Sequence, residues 1–127
     1  MRYGIFADVH GNLPALQAVV DVLRADRVER FVCVGDVVGY GANPQECIDL
    51  LQSLRAICVA GNHDWAVTGN LDLIYFNHDA REAILWTKNH ISSQGMVFLR
   101  NLELTFKNQD LMLVHSTLPN PEEFNSD

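Results

Sequence analysis

The amino-acid sequence predicts an α/β fold, in which helices cover a sheet, on three observations. Short apolar runs alternate with segments whose apolar residues recur at helical spacing, which is the order of a layered α/β domain. Four of the apolar runs end close to an Asp, Asn or His residue. The 127 residues, 48% of them hydrophobic, suffice for one domain that buries roughly two thirds of its unfolded surface. We therefore expect one domain over residues 1–127.

The first predicted unit is a strand over residues 2–7 followed by a helix. Asn12 is a suitable N-cap, and Pro14 fits the first turn of that helix. The helix is expected to end near Ala25. Its predicted apolar stripe, spaced for one helical face, consists of Leu16, Val19, Val20 and Leu23.

The second unit repeats this order with a strand over residues 30–34 and a helix. The helix begins in a pattern that resembles a capping box, formed by Asn43, Pro44 and Glu46. Its inward positions are Cys47, Ile48, Leu51 and Leu54. A third strand is expected over residues 56–60.

The second half of the chain predicts a loop, two helices and a hairpin. Residues 68–77 mix glycine, asparagine and aspartate with aromatic residues and are interpreted as a loop. A helix over residues 78–90 and a short helix over residues 93–100 follow. Strands over residues 103–107 and 111–114 are joined by Asn108, Gln109 and Asp110, which indicates a hairpin. The longer helix turns one side inward, formed by Ala80, Ala83, Ile84 and Thr87.

Residues that commonly bind metal ions follow the strands. They are Asp8, His10, Asp36, Asn62 and His115. Ligands of open α/β sheets bind outside the carboxyl ends of the strands, so we expect these side chains to converge. Oxygen and imidazole donors together suit Mn²⁺, Fe²⁺, Zn²⁺ or Ni²⁺ better than Ca²⁺. Five ligands exceed the need of one tetrahedral ion, and an acidic residue, Asp36 first, is suited to bridge two ions roughly 3.5–4 Å apart.

The order of four motifs resembles the signature of the calcineurin-like metallophosphoesterase family. These motifs are Asp8-x-His10, Gly35-Asp36, Gly61-Asn62-His63-Asp64 and His115, and residues 35–41 are similar to the small prokaryotic phosphodiesterase branch in particular. The resemblance implies a layered α-β-β-α sandwich. It also implies two divalent ions, Mn²⁺ first, with Asp8 and His10 on one, Asn62 and His115 on the other, and Asp36 shared.

The resemblance further implies a reaction and roles for the remaining motif residues. A metal-activated water would hydrolyse a small phosphoester, a phosphodiester first, while His63 protonates the leaving oxygen. General-acid help of this kind is typically worth ~10²- to 10⁴-fold in rate. We expect Asp64 to orient the His63 ring, as carboxylates orient other histidines. Asn62 and Asn12 are expected to face the phosphate.

The sequence departs from the family pattern in its last part. Family members carry a downstream Gly-His-x-His segment whose histidines complete the two ions, and this sequence has no Gly-His dipeptide. Residues 119–127 are polar and are interpreted as carrying no closing strand or helix. We therefore expect an amino-terminal portion of a longer family member with an incomplete sandwich. An uncovered apolar face or strand edge would promote self-association.

Composition argues against several other functions. The formal charge of −7, from 16 acidic and 9 basic residues, disfavours binding to long nucleic acids, whose partners normally present a basic face. No apolar run approaches the ~18 residues of a membrane span, and no signal peptide is recognised. The odd number of cysteines, Cys33, Cys47 and Cys58, indicates buried free thiols in a reducing compartment, the cytoplasm by default.

Other interpretations remain open at this point. An all-helical His-Asp phosphohydrolase would use His63 with Asp64, or His78 with Asp79, but the predicted strands oppose it. The second alternative is a non-catalytic scaffold of the same fold, or a fragment that is inactive because two metal-ligand histidines are missing. Taken singly, Asp8, Asp36 and Asn62 are equally suited to turns and caps.

Some residues are assigned no single role. We interpret His78 and His90 as surface or capping residues, and Trp65 and Trp86 as core or rim residues. Tyr40 lies between two glycines and fits either a tight turn or the mouth of the site.

Overall fold

The computed structural model describes residues 1–115 and confirms the predicted α/β class. Predicted boundaries agree with it to within about two residues at most element ends. Between the third and fourth helices lies a 3₁₀ turn, Leu73–Tyr75. The elements in chain order are β1 Tyr3–Phe6, α1 Leu13–Ala25, β2 Arg30–Val34, α2 Pro44–Ser53, β3 Ile57–Val59, α3 Asn62–Thr68, α4 His78–Lys88, α5 Ser93–Arg100, β4 Thr105–Lys107 and β5 Met112–Val114.

The first three strands form a parallel sheet in the order β1-β2-β3. Its register pairs Phe6 with Cys33, and Cys33 with Cys58. Because side chains alternate along a strand, these three residues share one face. They pack against the helix-covered core, which includes Leu16 and Ile48.

The opposite face of the sheet is covered by the antiparallel hairpin of β4 and β5. Val32 and Val59 from the sheet and Leu113 from the hairpin form this second, smaller core. The described residues thus provide helix, sheet and hairpin layers, in the order α-β-β. This agrees with the sandwich that the sequence predicts, up to its last helical layer, which residues 1–115 do not contain.

The first two helices confirm some local predictions and correct others. Asn12 caps α1, since its Oδ1 accepts the Ala15 N–H at 3.1 Å. Val19 was predicted to lie on the buried stripe of α1, but it is 38% exposed, because the sheet covers only the narrower strip that contains Leu16 and Val20. The predicted capping box of α2 is wrong as well. The Asn43 amide donates to the Glu46 carboxylate at 3.3 Å, and its side chain caps no backbone N–H.

Helix α3 was not predicted from the sequence, and it begins inside the motif Gly61-Asn62-His63-Asp64. Gly61 is its N-cap residue, and Gly69, with a φ of 87°, ends it in the left-handed conformation. An acidic residue in the first turn and a glycine after the last turn are the signals for such a helix. The predicted hairpin is confirmed, since Asn108 Oδ1 accepts the N–H groups of Asp110 and Leu111 within the turn.

Three further expectations concern the all-helical alternative, a membrane span and self-association. The parallel sheet excludes the all-helical alternative. Among residues 1–115, no helix has the length and apolar character that crossing a bilayer requires. Ile5 on β1 is 55% exposed and Met112 on β5 is 48% exposed. Self-association through such a surface stays a prediction that light scattering tests, and the predicted polar end at residues 119–127 lies outside the described residues.

Candidate metal centre

The loops that follow β1 and β2 run side by side and bring the first ligands together. Asp8 N–H donates to the Gly35 carbonyl at 3.0 Å, and His10 N–H donates to the Asp36 carbonyl at 2.8 Å. The pairing of the two parallel strands therefore continues beyond their ends. It delivers three of the predicted ligands to one edge of the sheet, as the sequence analysis expected.

The backbone at these three ligands is strained. Asp8, His10 and Asp36 have φ values of 58°, 49° and 57°, in the left-handed region that residues with a side chain rarely adopt. Each such residue costs about 1–3 kcal/mol and persists only where the surrounding structure enforces it. Strain shared by three predicted ligands indicates a functional site.

The side chains converge on one carboxylate oxygen, Asp36 Oδ2. His115 Nε2 lies 3.4 Å from it, and His10 Nε2 lies 3.7 Å from it. His10 Nε2 is also 3.8 Å from Asp8 Oδ1. Donor atoms within 4.8 Å of one another form two groups, Asp8 with Asp36 and His115, and His10 with Asp36 and His63. Asp36 belongs to both groups, as a bridging ligand would.

Both histidines are oriented by backbone carbonyls. His115 Nδ1 is 2.7 Å from the Val34 oxygen, and His10 Nδ1 is 3.3 Å from the Val38 oxygen. A carbonyl only accepts hydrogen bonds, so each Nδ1 carries the proton and each Nε2 faces the carboxylates of the centre. Metal-binding histidines have this arrangement, in which the second nitrogen donates to a carbonyl or carboxylate. The donor set therefore fits divalent ions.

Electrostatic coupling around Asp36 is strong. Burial acts to raise the pKa of Asp36, but the hydrogen bond from His115 and the charges of the three neighbouring histidines prevail and lower it. The same hydrogen bond raises the pKa of His115 to about 9, against the effect of its burial. The charges of Asp36 and His115 thus each favour the ionised form of the other.

His63, the predicted general acid, directly contacts the central ligand Asp36. Its backbone N–H donates to Asp36 Oδ1 at 3.0 Å, which leaves Oδ2 to the other histidines. The ring is 6% exposed, and within residues 1–115 its buried Nδ1 has no hydrogen-bond partner. Burial is the main cause that lowers the pKa of His63. Since His63 also shares a donor group with His10 and Asp36, its geometry is compatible with an acid or a ligand.

Asp64 does not orient the His63 ring, and that prediction is wrong. The Asp64 carboxylate accepts the N–H groups of Asp36 at 2.9 Å, Gly61 at 3.0 Å and Val38 at 3.2 Å. As the third residue of α3 it points back toward the helix N-terminus, so these donors occupy both oxygens. Burial, followed by the charge of Asp36, raises the pKa of Asp64 to about 7, against these hydrogen bonds. Asp64 therefore holds the loop of Asp36 to the start of α3.

The two predicted asparagines are placed differently. Asn62 is the first residue of α3 and directly precedes His63. Asn12 commits its side-chain oxygen to the cap of α1, which leaves only its amide nitrogen for a phosphate. Their contacts with ligand or substrate, and the division of the ligands between two ions, stay predictions. The two donor groups pair Asp8 with His115, whereas the resemblance implies Asp8 with His10.

The chain is similar to known proteins over nearly its whole length. The sequence profile of the calcineurin-like phosphoesterases matches residues 1–125. An uncharacterised protein of Methanocaldococcus jannaschii is 39% identical over 122 residues, which cover 93% of this chain and 50% of that protein. The chain therefore spans about half the length of this curated relative.

Solved structures show the same relation. A crystal structure of a metallophosphoesterase from Sphaerobacter thermophilus is 42% identical, with a TM-score of 0.73, over 88% of this chain and 45% of that one. A protein provisionally described as a diadenosine tetraphosphatase is 26% identical, with a TM-score of 0.71, over 92% of this chain and 50% of that one. A Pyrococcus horikoshii protein, 20% identical with a TM-score of 0.72 over 83% and 49% of the two chains, shares the fold.

Proposed function

Because this chain belongs to the calcineurin-like phosphoesterase family, we propose that it forms the metal centre of a phosphoesterase that hydrolyses a small phosphodiester. The observation that carries the proposal is the convergence of His10 and His115 on one oxygen of Asp36. The Sphaerobacter thermophilus structure, a metallophosphoesterase, supports the reaction class. The preference for a diester is the finer part of the proposal.

The residues that would hold two divalent ions, Mn²⁺ first, are Asp8, His10, Asp36, Asn62 and His115. When bound, such ions would lower the pKa of a water so that it is deprotonated near neutral pH and can attack phosphorus, and they would supply positive charge that offsets the negative charge of the phosphoryl oxygens. The protein fixes the ligand orientations beforehand. Asp36 is placed by its own backbone bond to Asp64 and by the His63 N–H, and the histidines by backbone carbonyls.

We assign the proton donor for the leaving oxygen to His63. Its ring is enclosed beside His10, with 4.9 Å between the ring centroids. Burial disfavours the charged ring, and an anionic phosphate close by favours it, so substrate binding promotes the protonated form. Proton transfer to the leaving oxygen then returns the ring to its neutral state. The negative charges of Asp36 and Asp8 also raise the pKa of His63, whereas burial and the charges of His10 and His115 lower it.

Composition supports our proposals for the substrate and the location. The charge of −7 favours a small anionic substrate at a local positive centre over a long nucleic acid. The three free thiols favour a reducing compartment such as the cytoplasm.

The experiment is Mn²⁺-dependent hydrolysis of two diesters by this chain. Bis-p-nitrophenyl phosphate has a good leaving group, and diphenyl phosphate has a poor one that needs protonation. We expect His63→Ala to keep Mn²⁺ binding and to lose ~10²- to 10⁴-fold in rate on diphenyl phosphate, with a smaller loss on the other diester. The matched control is His78→Ala, which removes an exposed imidazole of α4.

The possible outcomes separate the assignments. Equal loss of Mn²⁺ binding in His63→Ala would make His63 a ligand instead of an acid. Faster turnover of p-nitrophenyl phosphate than of its diester would assign a monoesterase. Mn²⁺ binding without turnover of any ester would contradict catalysis by this chain and favour the non-catalytic scaffold.

A further inference from the structure

We propose that Tyr40 binds a planar aromatic group carried by the phosphoester, so that the site prefers nucleoside or aryl esters to alkyl or sugar esters. The inference rests on the proposed function, because it requires the phosphate to occupy the metal centre. It also decides between the two interpretations that the sequence left open for Tyr40.

The backbone around Tyr40 is built to bring this residue against the ligand loop. Gly41 N–H donates to the His10 carbonyl at 2.6 Å, and a side chain at Gly41 would overlap the His10 and Gly11 backbone. Gly39 has a φ of 123°, and a Cβ there would lie 2.7 Å from His63 Nδ1. Both neighbours of Tyr40 must therefore be glycine for the loop to close on the two histidines.

The Tyr40 ring contacts both histidines of the centre. Its centroid lies 5.3 Å from that of His10 and 4.9 Å from that of His63. The interplanar angles are 65° and 51°, so neither imidazole stacks flat on the tyrosine. A group attached to a phosphorus atom at the centre would start from within reach of this ring.

Within residues 1–115, Tyr40 contributes little to the core, since it is 55% exposed and belongs to neither hydrophobic cluster. The flat contacts that a tyrosine face makes are thus left to a ligand. Phe76 also lies near this histidine, with 5.2 Å between the ring centroids of Phe76 and His63, and it adds a further aromatic ring beside the centre. A base stacked on an aromatic side chain is typically worth roughly 5- to 150-fold in affinity, and such stacking tolerates different bases.

Equilibrium binding to the Mn²⁺-loaded chain tests the inference without depending on turnover. The first pair of probes is adenosine 5′-monophosphate against ribose 5-phosphate, which differ by the nucleobase. The second pair is phenylphosphonate against methylphosphonate, which differ by an aryl group next to phosphorus. We expect at least one aromatic probe to bind about tenfold more tightly than its partner. The pair that shows the difference identifies whether the aromatic group is a nucleobase or an aryl group.

Three variants locate the preference. Tyr40→Ala should abolish the affinity ratio, and Tyr40→Phe should keep it because the ring remains. Trp86→Ala, which removes an exposed aromatic ring from α4, should keep it as well. Mn²⁺ binding by each variant confirms that the centre is intact.

Equal affinities within both pairs, or a ratio that survives Tyr40→Ala, would overturn the inference alone. Failure of all four probes to bind in the presence of Mn²⁺ would also overturn this inference, whereas the proposed function is overturned only by the absence of turnover of the two diesters.

Discussion

The substitution Gly61→Ala should disable the metal centre by contact alone. Gly61 has a φ of −96°, which alanine adopts freely, so the backbone conformation adds no cost. Its new Cβ would overlap the Asp36 backbone nitrogen and Oδ1, and would lie 2.7 Å from Asp36 Cγ. Inserting a methyl group into such a packed position costs about 1–3 kcal/mol. The relief of that overlap moves the carboxylate on which His10 and His115 converge.

Gly69→Ala is the matched control. A Cβ at Gly69 meets no atom within 4 Å, but its φ of 87° is unfavourable for alanine by about 1–2 kcal/mol. Both variants should therefore lower the melting temperature of the metal-free protein by similar amounts, about 4 °C per kcal/mol for a chain of this size. They should differ in the response to metal.

The assay is thermal unfolding with and without Mn²⁺, supported by calorimetric titration. An ion present at 100 times its dissociation constant stabilises the folded state by about 2.7 kcal/mol, and a tenfold weaker affinity removes about half of that. Gly69→Ala should keep the full Mn²⁺-induced increase in melting temperature, whereas Gly61→Ala should lose at least half. An unchanged Mn²⁺ affinity in Gly61→Ala would refute the role of Asp36 as the central ligand.

Three more predictions concern buried groups. Asp36→Asn should weaken both ions together in a Mn²⁺ titration, because a neutral amide bridges poorly; loss of one ion alone would make Asp36 a terminal ligand. Asp64→Ala leaves three buried N–H donors unpaired and should lower the free energy of unfolding by about 3 kcal/mol or more in urea, whereas a loss below ~1 kcal/mol would contradict its clamping role. Burial raises the pKa of Cys47 to about 12, so iodoacetamide at pH 8 should alkylate the half-buried Cys58 first, as peptide mass spectrometry would show. Comparable labelling of Cys47 in the native protein would count against that burial.

Much of the fold and most of the site could be predicted because the signals are local and repeated. Apolar runs predict strands β1 and β2. The Asn12 cap and the apolar stripe that follows it predict helix α1. The convergence of Asp8, His10 and Asp36 follows from a general property of parallel sheets, since the ends of neighbouring strands meet at one edge. No pairwise contact had to be known.

The role of Asp64 could not be predicted, because it depends on helix α3. This helix begins inside the motif Gly61-Asn62-His63-Asp64, which was interpreted only as a source of site residues. Adjacent to His63 in sequence, Asp64 was expected to contact that ring. Once α3 begins at Asn62, its third residue points toward the free N–H groups at the helix start, and the Asp36 loop supplies two further donors. Proximity in sequence suggested the His63 ring as the partner of Asp64. The geometry of the helix start instead directs its carboxylate to backbone N–H groups.

The strained backbone at three ligands is held in place by the contacts around it, including those that the Asp64 carboxylate accepts. Three residues in left-handed conformations would relax if nothing opposed them. The opposing contacts are backbone bonds between the β1 and β2 loops, and the bonds from Asp36 and Val38 to the Asp64 carboxylate. Since these contacts involve no ligand atom that faces the centre, they hold the loops without occupying the donors. The backbone that carries Asp8, His10 and Asp36 is therefore held by contacts other than those that the ligand side chains make at the centre.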